Sequence, residues 1–342
     1  MRILITGGAG YFGALLTDEL LKQGHECRIL DLNDFDSHQD GIENFRADIR
    51  DRNAVQKACE GIDVVHHNVA QVPLAKNKQL FQEVNYDGTK NLLDAALEKG
   101  VKKVIYTSSS AVFGIPKSNP VNEQTPPNPM EAYGKEKYRA ELLCQEYIDK
   151  DLDVSILRPR TIMGHGRLGI FQILFEWIRE GYNVPVLGSG DNVYQFIHAN
   201  DMASACIKAG EKSGPAIYNC GAERFGSMRE VLEDLCAYAD TGSRVRSLPM
   251  KPIVLGMKLT SLLGLSPLGA YHALMYGRSM YFDITKAKTE LDWSPKFSNT
   301  EMFRESYQWY IDNREQVYKE KGRSFHRSAL KQRMLGLVKY FL

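Results

Sequence analysis

The chain opens on an apolar run, Met1–Ile5, that reads as a short buried strand. Residues 6–13 (TGGAGYFG) place four glycines in eight positions, and residues 14–24 then repeat apolar side chains at helical spacing and stop on Gly24. The same alternation continues. Strands are predicted over Cys27–Asp31, just before Asp48, and over Asp63–His67, Lys103–Ser108 and Asp153–Arg158, with helical patterns over Arg52–Glu60, Tyr86–Lys99 and about 130–150. Strands and helices in this order imply parallel βαβ units, hence an α/β fold with a doubly wound parallel sheet.

After Arg158 the pattern loosens. A helix over about 170–181 and a Gly-Ser-Gly-Asp turn at 188–191 come first, then an extended Gln195–Ile197, a helical Ala199–Gly210, a late strand at Ile217–Cys220, and mainly helices from Ser227. The expected organisation is a nucleotide-binding domain over 1–165, to which the chain returns at about 195–220. A smaller, mainly helical substrate lobe takes 166–194 and 221–320, and a tail takes 321–342. Ile253–Leu268 is strongly apolar, but Lys258 and the Pro267 break argue against a membrane span. It reads as a buried helix pair, or as an apolar wall beside a greasy substrate. In the tail, Leu330, Met334, Leu337, Val338 and Phe341 share a helical face from which Arg327, Lys331 and Lys339 mostly point away. Such a basic amphipathic helix suits subunit packing first, and otherwise a membrane surface.

Composition narrows the function classes. Forty-three basic and 42 acidic residues leave a net charge of +1, which offers no field for nucleic acid. Six cysteines at 27, 59, 144, 206, 220 and 236 form no CxxC pair and read as free thiols of a reducing cytosol. The first strand starts at once and leaves no room for a signal peptide, so a cytoplasmic location is expected, with the inner face of a membrane as the variant the tail suggests. His66 and His67 are adjacent strand residues that point to opposite faces, so no metal site is expected from them.

The glycines carry the first chemical signal. Gly7, Gly10 and Gly13 have G-x-x-G-x-x-G spacing between a strand and a helix, where Gly7 permits the turn, Gly10 lets backbone approach a pyrophosphate and Gly13 lets helix and strand pack closely. Phosphates would rest on the helix N-terminus, beside Tyr11 and Phe12. Asp31 ends the second strand, where a carboxylate holds both ribose hydroxyls and repels a 2′-phosphate, and no basic residue follows in Leu32-Asn33-Asp34. The cofactor expected of this Rossmann-type domain is NAD rather than NADP. Asp48 and Ile49 suit an adenine slot, as an acceptor for the amine and an apolar wall.

Tyr133 and Lys137 lie four residues apart on one predicted helical face. A tyrosine of ordinary pKa about 10 needs a neighbouring cation to serve as a base near neutrality. The hydroxyl cluster Thr107–Ser110 ends the preceding strand. Together TGGAGYFG, YTSSSAVFG (106–114), YGKEK (133–137), NYDGTKNLLDAA (85–96), LRPRTIMG (157–164), GSGDNVYQFIHANDMA (188–203) and DITKAKTELDWSPK (283–296) resemble the extended short-chain dehydrogenase/reductase family, in its epimerase/dehydratase branch, over roughly residues 1–315. The resemblance implies Ser109 as the catalytic hydroxyl, Tyr133 as acid/base, and Lys137 as its tuner and a ribose ligand. It places Val69, Ala70, Asn85 and Pro159 beside the nicotinamide end of the cofactor. Ser110, Arg160, Thr161, Arg167, Tyr194 and Arg278 are the candidate substrate-facing residues, and Arg160, His165, Arg167 and Arg278 are the cations the substrate lobe offers. The sequence departs from the family where Asn usually stands near Thr161 and where Arg-Asp usually replaces Tyr194-Gln195; that Arg grips a nucleotide diphosphate, and tyrosine carries no such charge. The expected activity is NAD-dependent epimerisation or oxidation of a sugar hydroxyl on a nucleotide or lipid diphosphate. Oxidation of a hydrophobic alcohol, as in 3β-hydroxysteroid dehydrogenases, is the alternative, and NAD binding without turnover a third. The expected partners are a small-molecule or lipid-linked substrate and a second copy of the chain as a homodimer, with the tail 324–342 as the membrane contact.

Overall fold

The computed structural model describes residues 1–35, 40–71, 78–167, 170–250, 275, 277–319 and 339. Its centre is a sheet built on alternation. In β1 (Arg2–Thr6) Ile3 and Ile5 face one side and Leu4 the other. The first side is covered by α1 (Tyr11–Lys22) and α7 (Ala199–Glu211), and the second by α2 (Arg52–Ala58), α4 (Gly88–Glu98) and α5 (Ala132–Ile148). Strands β4 (Val64–His67), β5 (Lys103–Thr107) and β6 (Val154–Pro159) are buried along their whole length, as strands covered on both faces must be.

With β2 (Glu26–Asp31), β3 (Ile42–Arg46) and β10 (Ala216–Cys220) these make seven parallel strands in the order β10-β6-β5-β4-β1-β2-β3. The order reverses between β1 and β4, the position at which doubly wound sheets bind ligands beyond the carboxyl ends of their strands. Strand β10 comes from the far side of the sequence and closes the edge beside β6, with Ala216–Cys220 opposite Ser155–Pro159.

A second group of elements packs around Met163, Phe175, Trp177, Phe196, Phe303 and Tyr310. It contains α6 (Ile170–Arg179), α8 (Met228–Ala239) and α10 (Asn299–Lys319), whereas a short α9 (Thr285–Glu290) lies against β10 and adds Ala287 to the core of the main sheet. Beyond the expected helices it holds two small parallel sheets: β7 (Thr161–Met163) pairs with β9 (Phe196–His198), and β8 (Val184–Leu187) with β11 (Val245–Leu248). Strands of three or four residues are too short to show a period in sequence. Glu176 ties α6 to α10 by accepting hydrogen bonds from Arg314 and from the Tyr310 hydroxyl.

The helix expected over Tyr86–Lys99 differs at its start. A short α3 (Lys78–Gln82) runs into a wide π turn at Glu83–Asp87 before α4 begins at Gly88. There the Asn85 side chain is drawn to the Gln71 backbone, accepting from its N–H at 2.7 Å and donating to its carbonyl at 3.1 Å. All six cysteines are buried and free. Among the described residues no helix is long and apolar enough to cross a membrane. Ile253–Leu268 and most of the tail lie outside the described residues. Lys339 is the exception: its ammonium bonds to Glu180 and sits 4.5 Å from the Tyr182 ring centroid.

Candidate active site

The glycine turn is a backbone object. Gly7 has φ +72°, and a Cβ there would stand 3.0 Å from both the N and Cα of Val69, so the loops after β1 and β4 touch at the point where the strand order reverses. A Cβ on Gly13 would lie 2.2 Å from the Gly7 carbonyl oxygen, which forces the first turn of α1 hard against the loop. Gly10 is the N-cap of α1, and neither a capping side chain nor an acidic residue in the first turn occupies that helix end. Its N–H groups are therefore placed for an anion. Asp31, at the end of β2, accepts from the Ala9 N–H at 3.1 Å and the Asn33 N–H at 3.1 Å, which holds its carboxylate beside the glycine loop.

The other sequence-predicted cofactor residues divide. Val69 and the half-buried Ala70 lie beside the glycine loop, and Asn85 holds the loop that follows them. Pro159 is the buried last residue of β6 and pairs with Cys220. Asp48 is engaged by Arg50, which clamps both carboxylate oxygens at 3.0 Å and holds the carboxyl below its usual range. Ile49 is buried in the core with its side chain against Gly88. Tyr11 is buried at the start of α1, and Phe12 packs on the neighbouring core.

Tyr133 and Lys137 are delivered by α5. Glu131 caps that helix, accepting from the Tyr133 N–H at 2.8 Å and the Gly134 N–H at 2.6 Å. A Cβ on Gly134 would meet the Ala111 carbonyl at 2.5 Å, so glycine is what lets α5 lie on the 3₁₀ turn Ser110–Phe113. Eight residues after Tyr133, Glu141 accepts from the Ser108 hydroxyl at 2.5 Å and from Arg158 at 2.9 and 2.6 Å. This buried pair fastens the helix face that carries Tyr133 and Lys137 to the ends of β5 and β6.

The Ser109 side chain stands close enough to the Tyr133 hydroxyl to lower its pKa, and its Oγ accepts from the Ala111 N–H at 3.2 Å. Ser110 is buried beside it. Burial pushes the Tyr133 hydroxyl up to about 12; Ser109 pulls it down, Glu131 raises it and the Arg167 charge lowers it again. Lys137 lies one turn further along α5. Its ammonium donates to the Thr107 carbonyl at 2.8 Å, lies 4.7 Å from the Tyr106 ring centroid, and is pushed down to about 8 by burial. The Arg167 guanidinium is a cation that favours the Tyr133 phenolate. Arg167 also sits 5.4 Å from the Tyr11 ring centroid, so it links α1 to Tyr133.

On the substrate-facing side, the Thr161 and Tyr194 hydroxyls meet at 3.1 Å, and Arg160 stacks on Tyr194. Gln195, where the family pattern has an acid, is buried and accepts from the Phe282 N–H while donating to the Ala222 carbonyl. Arg278 is exposed, two residues before Met280, which bridges to Tyr194. The two histidines of β4 do face opposite ways. His67 bonds to the Thr6 and Thr89 hydroxyls at 2.7 and 2.9 Å, whereas His66 lies against Gly210.

One cluster escaped the sequence. His165, His198 and Glu305 gather within metal-ligand spacing, with Glu305 bonded to His165 Nδ1 at 3.2 Å and to His198 Nε2 at 2.9 Å. His198 Nδ1 accepts from the Asn200 N–H at 3.1 Å, so the ring carries its proton on Nε2 and donates it to Glu305. A metal at Nε2 needs the opposite tautomer. Glu305 thus accepts the His198 Nε2–H directly. Burial would raise the Glu305 carboxyl, but the two histidines outweigh it and hold it at about 2. Glu305 lies 140 residues from His165, and no spacing rule links them. Glu131 and Glu141 were readable in principle, as an acid just before the helix and as a residue four beyond Lys137 on the same face.

A sequence model of the NAD dependent epimerase/dehydratase family matches residues 3–221. The chain is 53% identical over 340 residues to the uncharacterized protein y4nG of Sinorhizobium fredii, covering 99% of this chain and 86% of that protein. It is 30% identical to the 3 beta-hydroxysteroid dehydrogenase/Delta 5-->4-isomerase of Mycobacterium tuberculosis, covering 93% of both chains. Among solved structures, the UDP-glucose 4-epimerase of Thermus thermophilus in complex with NAD superposes with a TM-score of 0.74 at 26% identity, over 91% of this chain and 99% of that one.

Proposed function

The chain belongs to the NAD dependent epimerase/dehydratase family, and on that premise we propose that it oxidises a hydroxyl of a nucleotide- or lipid-linked sugar and returns the hydrogen to the other face. The observation that carries this reading is the Ser109–Tyr133 hydroxyl pair, seated at the carboxyl end of β5 with Lys137 one helical turn further along α5.

The residues present fit NAD: the uncapped α1 N-terminus would take its pyrophosphate, Asp31 its ribose hydroxyls, and Val69, Ala70 and Pro159 would line its nicotinamide end. When bound, NAD accepts a hydride from the carbon that carries the substrate hydroxyl and can give it back. The protein's own work is proton transfer. Tyr133 takes the hydroxyl proton, and Ser109 shares the developing charge on that oxygen. With Tyr133 near 12 before ligands arrive, added positive charge must bring it down; Arg167 supplies part, and Lys137 would supply more on leaving Thr107 for a ribose.

A second reading, oxidation of a hydrophobic alcohol, is favoured by Tyr194 at the position of the family's diphosphate-gripping arginine and by the steroid dehydrogenase relative. The tail 324–342 would then bring the site to a membrane face, or would pack a homodimer. The test mixes the protein and NAD with nucleotide sugars, polyprenyl-diphosphate sugars and sterols, and follows reduced cofactor and product stereochemistry. Tyr133→Phe should cut turnover by about 10²–10⁴-fold with NAD binding intact. A variant that keeps more than about a tenth of the wild-type rate removes Tyr133 from the mechanism.

A further inference from the structure

Arg160 is 1% exposed, and among the described residues it is the arginine with both terminal nitrogens buried and without a hydrogen-bond partner. Its Nε donates to the Gln195 carbonyl at 3.2 Å. Its guanidinium carbon lies 4.5 Å from the Tyr194 ring centroid and 5.4 Å from that of Phe282. The surroundings thus supply aromatic faces and one carbonyl, but no acceptor for the Nη edge. Arg158, two residues earlier and equally buried, is met by both oxygens of Glu141. The segment that leaves β6 therefore pairs one buried arginine within the fold and leaves the next without a partner for its Nη atoms.

A buried cation with an unserved fork is strongly unfavourable unless something with negative oxygens completes it, and the planar fork matches a phosphate or a carboxylate. We propose that Arg160 binds an anionic group of the substrate through Nη1 and Nη2, with the Thr161 and Tyr194 hydroxyls beside it. The proposal rests on the reading above and deepens it. The substrate is an anionic sugar derivative rather than a neutral alcohol, and the charge absent at position 194 is supplied from position 160. Phosphate and carboxylate share this chemistry, so the test has an arm for each.

Calorimetry at constant ionic strength on NAD-saturated protein, which blocks the cofactor's own phosphate site, titrates in inorganic pyrophosphate or malonate. One of the two is expected to bind the wild type, and the one that binds names the anion. Arg160→Met should weaken that binding at least tenfold, about 1.4 kcal/mol. Arg160→Lys keeps the charge but loses the fork, and should weaken it at least threefold; it also serves if the methionine variant does not fold. The proposal is overturned if neither anion binds the wild type, or if a folded variant binds as tightly as wild type. Tyr133→Phe should bind the anion unchanged. A protein that binds the anion yet turns over nothing in the substrate panel overturns the catalytic reading and leaves the anion site standing. Turnover of a neutral alcohol without anion binding overturns the anion site alone.

Discussion

Replacing Glu141 by glutamine tests how α5 is held. The Glu141 and Arg158 side chains are each 4% exposed, and Glu141 accepts three hydrogen bonds, two from Arg158 and one from Ser108. Glutamine keeps the shape but puts an amide N–H₂ where one carboxylate oxygen met the guanidinium. Arg158 is left buried and uncompensated, with its Nη1 already lacking a partner. Breaking one side of such a pair costs about 3–5 kcal/mol. At about 2 °C per kcal/mol, the low end of the range for large domains, the Tm should fall by roughly 6–10 °C. Urea denaturation at neutral pH measures the loss directly. The double change Glu141→Leu with Arg158→Met should recover most of it, because apolar replacement of a whole buried pair is often neutral. The coupling between the two positions is then read from the cycle. A Glu141→Gln loss below about 1 kcal/mol would refute the reasoning, since the pair would then be hydrated.

Asp31→Ala should reduce the preference for NAD over NADP from at least tenfold, about 1.4 kcal/mol, toward parity in calorimetry; tighter wild-type binding of NADP would reverse the assignment. His66 and His67 are both held neutral by burial, with folded-state values near 3 against about 6.5 unfolded. The unfolded chain therefore binds more protons between those values, and stability should fall as pH drops from 6.5, approaching roughly 2.7 kcal/mol per pH unit when both contribute fully. Between pH 5 and 6.5, above the range where Glu176 and Glu305 contribute, His66→Leu should reduce that slope by about half; an unchanged slope would contradict the burial argument. Truncation after Arg323 separates the two roles of the tail: loss of salt-sensitive flotation with anionic vesicles supports the membrane role, whereas a changed oligomer or lowered Tm supports packing.

Much of this was legible because it is periodic. The predicted strand Lys103–Ser108 is one residue longer than β5, and Asp153–Arg158 is offset by one from β6, since each buried strand carries a short, mostly apolar stretch, Val104–Tyr106 and Val154–Leu157. The glycine turn was equally readable, because Gly7 and Gly13 meet within one local segment. What escaped depends on distance along the chain. The partner chosen by Lys137 is a backbone carbonyl 30 residues away, and spacing says nothing about which acceptor an ammonium reaches. Arg160 and Arg167 looked alike as spare cations. One is enclosed by Tyr194 and Phe282, and the other faces Tyr11 and Tyr133.

Strand β10 also sets an order on synthesis. Residues 154–159 leave the ribosome about sixty residues before 216–220 do, a wait of roughly 3–12 s at about 5–20 residues per second. Throughout it, a β6 already paired with β5 would present an unpaired edge, the kind of surface on which strands from other nascent chains add. When Ala216–Cys220 arrives it takes that edge, and α9 then covers it, with the Tyr218 hydroxyl bonded to Glu290 at 3.0 Å. A ribosome that stalls in this interval would release a chain with a nearly complete sheet and a sticky border, a substrate for chaperones rather than for the cofactor.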